Sequence, residues 1–334
     1  MDIQLLKKTG NIDQICGIRE SVLLSGPSKG TRIARLYNAA GLDLTVVTDR
    51  CMDLYDFSCK GINLAFHSKN GLQSPFLFSP QKDEFPEQWP GGLLCTCGLR
   101  NINLHNERGA EVFPTHGRIG SVPAMRVQPE TEWIGDRYFL RLKGEMHETR
   151  MLKSHLSLKR TIETEMFGHS IRITDCISNE NSSPEPVMLL YHFNFGYPLI
   201  EKGATAVTEG ISLKPLNPRS SDPVIMTDPE RENQVQSFLG TCKEKKAAAS
   251  IMNERLKMGV RLEYETEFLP HLVEWKHLLP GDCVLSFEPT NAAAVNRETA
   301  EKEGKLTVLQ PFETMQIHLT LTVLDGSEEI RKEG

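Results

Sequence analysis

The sequence lacks any uninterrupted apolar run long enough to cross a bilayer as a helix. It also lacks an excess of positive charge: 38 Lys and Arg stand against 44 Asp and Glu, a formal charge of -6. Nucleic-acid binders usually carry a basic face or stripe, so that class is set aside. The opening residues Met1 to Lys8 do not show the cationic-then-apolar order of a secretory signal. The expected location is the cytoplasm, with neither a membrane nor a nucleic acid as partner. No P-loop, no dinucleotide glycine fingerprint, no H-x-H or H-E-x-x-H pair and no Ser nucleophile elbow occurs, so nucleotide, metal and acyl-transfer readings find no motif. No stretch of ten residues or more carries a capped helical stripe.

Eight cysteines are present, but Cys51, Cys176 and Cys283 sit in or beside strand-like runs. Cys95-Thr96-Cys97 has one intervening residue rather than the two of a usual zinc or redox pair. A chain of 334 residues buries its core without staples. The cysteines are expected as free thiols.

What is there is strand pattern. Leu42 to Thr48 is rich in β-branched residues and follows the breaker Gly41. Residues 137 to 177 read as a meander with period two, and so do the stretches from Val260, from Leu272, from Cys283 and from Met315. The 243–253 stretch fits a strand or a short helix, and the region from about 201 to 255, with three prolines between 214 and 223, is the least legible. Residues 68 to 92 carry Pro75, Pro80, Pro86, Pro90, Gly91 and Gly92, which argue against continuous secondary structure. A loop of that length is commonly functional, and it is expected to form a wall of a binding site. Many short strands without a dividing linker or a fixed repeat predict one all-β sandwich or barrel over residues 1–334. About 30 N-terminal residues would form an accessory segment of it.

Several residues could carry chemistry. In Leu189 to Pro198, His192 and Asn194 lie two apart and share a strand face. Read alone, His192 is a satisfied core histidine or a catalytic one. Glu288 ends an apolar strand beside Phe287, where desolvation would raise its pKa toward general-base values; a solvent-facing edge glutamate is the alternative. In Phe113 to Gly120, two glycines let the backbone approach a ligand, with His116 and Arg118 as donors, or His116 caps a turn. Arg50 or Asp53, after the first clear strand, reaches a sugar hydroxyl or belongs to a polar turn. Trp275 and Lys276 offer a stacking face and a charge, or a strand edge with a solvated lysine.

Taken in order, these pieces resemble the aldose 1-epimerase (galactose mutarotase) superfamily, nearest to its aldose-1-epimerase-like branch. The resemblance runs from about Gly30 to Val323 and rests on Thr115 to Gly120, on Asn179 to Pro186 followed by Tyr191 to Phe195, and on Phe287-Glu288-Pro289. It implies a large β-sandwich with a concave sugar cleft, and a small-molecule sugar as partner. Glu288 would take the proton of the C1 hydroxyl while His192 protonates the ring oxygen, so that the opened aldose recloses as the other anomer. His116, Arg118, Asn194, Arg100, Trp275, Lys276 and Arg50 would bind the sugar. No metal or organic cofactor is implied, and activity is expected to be best near neutral pH. Cys97-Gly98-Leu99-Arg100 stands where the family carries an Asn-Arg-Ile type segment, and the counterpart of its distal Asp is left unassigned. Rival functions are an isomerase or lyase acting on a modified sugar with the same pair, and a carbohydrate-binding protein without turnover.

Overall fold

The structure is a computed structural model that describes residues 7–81, 84–201, 203–216 and 235–326. In chain order its strands begin with β1 (Gly17–Val22), β2 (Arg32–Tyr37), β3 (Leu42–Val47), β4 (Asp53–Cys59) and β5 (Ile62–Asn63). Next are β6 (Leu94–Leu99), β7 (Asn106–Arg108), β8 (Glu111–Phe113), β9 (Met125–Ile134), β10 (Arg137–Thr149), β11 (His155–Glu165) and β12 (Ser170–Asn179). The second half holds β13 (Glu185–Phe195), β14 (Ala204–Glu209), β15 (Ile211–Pro215), β16 (Val235–Cys242), β17 (Lys246–Asn253) and β18 (Met258–Glu265). The last are β19 (His271–Leu279), β20 (Asp282–Thr290), β21 (Thr307–Leu309) and β22 (Thr314–Asp325).

β1 to β5 form a five-stranded meander. Two larger sheets make the sandwich. One runs β14-β17-β18-β22-β12-β11-β10-β9, and the other β15-β16-β19-β20-β13-β21, with β6 also paired to β13. β7 and β8 stand apart as a small hairpin. In the eight-stranded sheet the period-two pattern does what it predicts: along β12 and β22, Ile171, Ile173, Ile177, Ile317, Leu319 and Leu321 are buried between more exposed neighbours. They meet Tyr191, Phe193, Phe195 and Phe287 of the other sheet in one continuous core.

β13 departs from alternation, with almost every residue buried. One face looks into the sandwich and the other is roofed by connecting segments, so its sequence is largely apolar on both faces. That roof includes the Pro- and Gly-rich connection, where two single turns form among the described residues, Pro75–Leu77 and Phe85–Gln88. The 243–253 stretch resolves as strand, because β17 packs between β14 and β18. The prolines at 218 and 223 lie outside the described residues. All eight cysteines are free. Among the described residues no helix is long and apolar enough to cross a membrane.

Candidate active site

Strand register assembles the site. β13 lies between β6 and β20, and β20 pairs onward with β19. His192 stands opposite Cys95 on β6. The pairings Phe193 with Phe287 and Asn194 with Ser286 bring Glu288 opposite His192 on the other side, and Glu288 in turn faces Val273. Paired residues project on the same side of a sheet, so Cys95, His192, Glu288 and Val273 form a row across the face turned away from the sandwich core. Alternation puts Ser286 and Trp275 on that face too.

Within the row, His192 Nε2 lies 3.1 Å from Glu288 Oε1. Both are buried, at 6% and 5% exposure. The Ser286 hydroxyl donates to Glu288 Oε1 at 2.6 Å. Around His192 stand the rings of Trp89, Trp275 and His116, with centroids at 5.4, 5.8 and 5.8 Å. Burial pushes the Glu288 carboxyl up to about 7, against the pull of Ser286. Burial pushes His192 down to about 4, with the neighbouring Asn194 amide opposing. His116 falls to about 3, through burial and then through His192. Near neutral pH both imidazoles are therefore uncharged, and the proton of the pair resides on the carboxyl. Among the described residues the buried Nδ1 atom of His116 has no hydrogen-bond partner, and such atoms ordinarily find one. The His192 ring lies beside the Asn194 amide.

His116 is delivered by a tight turn. It has φ +58, and the next residue, Gly117, has φ +76. A Cβ on Gly117 would come within 2.1 Å of the Gly98 carbonyl oxygen, so only glycine fits. The turn docks on the end of β6, the Gly98 amide donating to the His116 carbonyl and the Arg118 amide to the Gly98 carbonyl.

Three cavities share walls here. One of about 170 Å3 holds His116, His192, Glu288 and Trp275 in its wall. A second, of about 430 Å3, continues past His192, Trp275 and Trp89 toward Phe66 and His277. A third, of about 30 Å3, lies between Arg50, Phe78, Phe85, Trp89 and His116. The first is of a size to take a sugar ring, and the aromatic walls of the first two suit its apolar faces.

Of the residues expected to bind sugar, His116, Trp275 and Arg50 reach a cavity wall. Arg118 lies just behind, its guanidinium 5.8 Å from the ring of Phe78. Three are not brought to the cleft. Lys276 follows Trp275 on a strand and so points the other way, its ammonium 5.1 Å from the buried Phe238 ring and 3.8 Å from Glu274. Arg100 is held by Glu111 at 2.6 Å and Glu185 at 3.4 Å. Asn194 shares the face of His192 but is fully buried, and its amide donates to the carbonyls of Gly92 and His192. Asp53 is likewise engaged, accepting from the Thr96 amide and hydroxyl and from Arg160.

Trp89, Phe85 and Ser286 join the site without a motif of their own. Ser286 was accessible to reasoning, since it precedes Glu288 by two on a strand. Trp89 and Phe85 lie in the 68–92 connection, where no periodicity announces a direction. Among the described residues no group of three or more His, Cys, Asp and Glu is placed to hold a metal ion.

Residues 28–323 match the family described as Domain of unknown function (DUF4432). No curated protein matches the chain by sequence. Among solved structures, a Klebsiella pneumoniae protein described as a candidate aldose 1-epimerase superposes with a TM-score of 0.83 at 21% identity, over 94% of this chain and 85% of that one. A galactose mutarotase-like protein from Clostridium acetobutylicum gives 0.63 at 16% identity, over 93% and 99%. A galactose 1-epimerase from Lactobacillus acidophilus gives 0.62 at 12% identity, again over 93% and 99%. The chain thus has the galactose-mutarotase-like β-sandwich fold.

Proposed function

Because this chain belongs to the DUF4432 family, whose description states no reaction, we propose a function from the chemistry of the cleft: interconversion of the α and β anomers of an aldose or a close derivative by acid–base ring opening. The observation that carries the reading is the buried contact of His192 Nε2 with Glu288 Oε1 at 3.1 Å. In a cyclic aldose the C1 hydroxyl and the ring oxygen share one carbon. Opening the ring takes a proton from the first and gives one to the second, so base and acid have to stand close together. A pair on adjacent strands, sharing one proton, meets that demand.

Binding between the pair lets the proton pass. Glu288, ionised as its proton moves to His192, accepts from the C1 hydroxyl, while His192 donates to the ring oxygen. The C1–C2 bond of the open aldehyde rotates, and the reverse transfers close the other anomer. Ser286 holds the carboxyl in place through the whole cycle, and Trp89 and Trp275 exclude water and lie against the ring. The fold supports this reading by kinship with proteins described as mutarotase-like, and the geometry supports it independently.

One-dimensional NMR of freshly dissolved α-sugars, with and without protein, tests it. Equilibration should outpace the blank for at least one aldose class, and Glu288→Gln and His192→Ala should each lose about 100- to 10,000-fold in catalysed rate. Undiminished rates in both variants would overturn the assignment of roles.

A further inference from the structure

Arg50 is a half-buried guanidinium that lines a pocket at the cleft. Arg160 is held by two carboxylates, Asp53 and Asp175, and Arg100 by Glu111 and Glu185. Arg50 has no such partner among the described residues. Among the described residues its one hydrogen bond is a long 3.5 Å donation to the Gln73 carbonyl. Asp53, the acidic side chain that shares a cavity wall with it, is already taken by Thr96 and Arg160. Burial lowers the Arg50 pKa, against the attraction of the nearby Cys95 and Asp53 groups. A charge partly withdrawn from water without a counter-charge is costly. An anionic ligand group would supply the missing partner.

The position of Arg50 says where that anion would come from. It lines the cavity of about 30 Å3 that also touches His116 and Trp89. His116 borders the cavity of His192 and Glu288 as well, and Trp89 borders the larger aromatic one. The pocket that ends on the guanidinium thus shares the His116 and Trp89 walls with the cavities at the acid–base pair. The volume suits a group of one to a few heavy atoms. A hydroxyl there would satisfy hydrogen bonds and leave the charge uncompensated; a carboxylate does both, through the fork of a guanidinium.

We propose that the sugar taken by this cleft is acidic, an aldose whose ring carries a carboxylate held by Arg50. The inference rests on the sugar reading of the cleft and adds the substrate class. It is tested with wild-type protein, Arg50→Gln and Arg50→Lys, each checked for folding by circular dichroism. The probes are glucose, galactose, their uronic acids and their terminal phosphate esters, followed for binding by calorimetry and for anomer exchange by NMR.

The expected result is a wild-type preference, in binding and in kcat/KM, for a uronic acid over the neutral hexose of the same configuration. That preference should shrink about 10- to 100-fold in Arg50→Gln, the worth of a charge-assisted contact, and be largely kept in Arg50→Lys. Equal handling of neutral and acidic sugars by wild type, or a preference unchanged in Arg50→Gln, overturns the inference. So does an Arg50-dependent preference for the phosphate ester. Anomer exchange of neutral hexoses without uronate binding would sink the inference and leave the reaction standing. Arg50-dependent uronate binding without exchange would do the reverse.

Discussion

At the scale of single residues, His192 and Glu288 behave as one titrating unit. Burial raises the carboxyl to about 7 and lowers the imidazole to about 4. Between those values the pair holds one proton; above them it holds none and below them two. Whether that proton sits on the carboxyl or the imidazole changes the microstate and not the count, and the pH dependence follows the count. The one-proton form is the one that can give and take in a single event. Catalysed anomer exchange is therefore expected to be flat from about pH 4 to about pH 7 and to fall as pH rises further, because Glu288 gives up the shared proton. This moves the optimum expected from ordinary residue pKa values from neutrality to its acid side. A kcat/KM series over this range, corrected for the uncatalysed rate, checks it. A rate that instead climbs through pH 7 to an alkaline plateau would mean that the fully deprotonated pair is the working form.

At the scale of elements, β13 is a two-faced strand with its chemistry on one side and its anchor on the other. His192 faces the cleft, and Tyr191 beside it faces the core, where its hydroxyl donates to Asp175 at 2.7 Å. Arg160 of β11, with no exposed surface in its side chain, reaches Asp175 on β12, Asp53 on β4 and the Thr96 hydroxyl on β6. One guanidinium therefore ties four strands together directly behind the acid–base pair. Replacing it with Met fills the volume and leaves two buried carboxylates without a counter-charge, a change that costs about 3–5 kcal/mol. Urea unfolding of Arg160→Met is expected to show a loss of that order, with the remaining folded protein slower in anomer exchange through displacement of β6 and β13. A loss below about 1 kcal/mol, the scale of an exposed pair, would mean that the carboxylates regain water and that the tie is dispensable.

At the scale of the whole molecule, strand periodicity made the sandwich legible and left the cleft half hidden. β12 and β22 alternate because one side meets the core and the other meets solvent. β13 is covered on both sides, so its sequence does not say which face His192 takes. Period two places Trp275 and Lys276 on opposite faces, so the expectation that both meet the sugar fails for Lys276. The partners of Arg100, and the arrival of Trp89 against His192, depend on contacts between distant segments and on loops that no local pattern records. What the whole fold pays for its site is a buried acid. Glu288 is raised from 4.5 to about 7, so the folded state binds its proton more tightly than the unfolded chain does. The stability this contributes is fully present below pH 4.5 and is lost as pH rises through about 7, a change of roughly 3 kcal/mol. Glu148, likewise raised to about 7 by burial against the Leu99 amide and nearby arginines, adds a slope of the same sign. Comparing wild type with Glu288→Gln isolates the first contribution, since the second is common to both. The variant should match wild type near pH 4 and exceed it by roughly 3 kcal/mol at pH 8 in urea unfolding, while losing anomer exchange. A stability difference that does not change with pH would show that Glu288 is no harder to ionise in the folded protein than in the unfolded chain, and the buried acid–base pair would lose its physical basis.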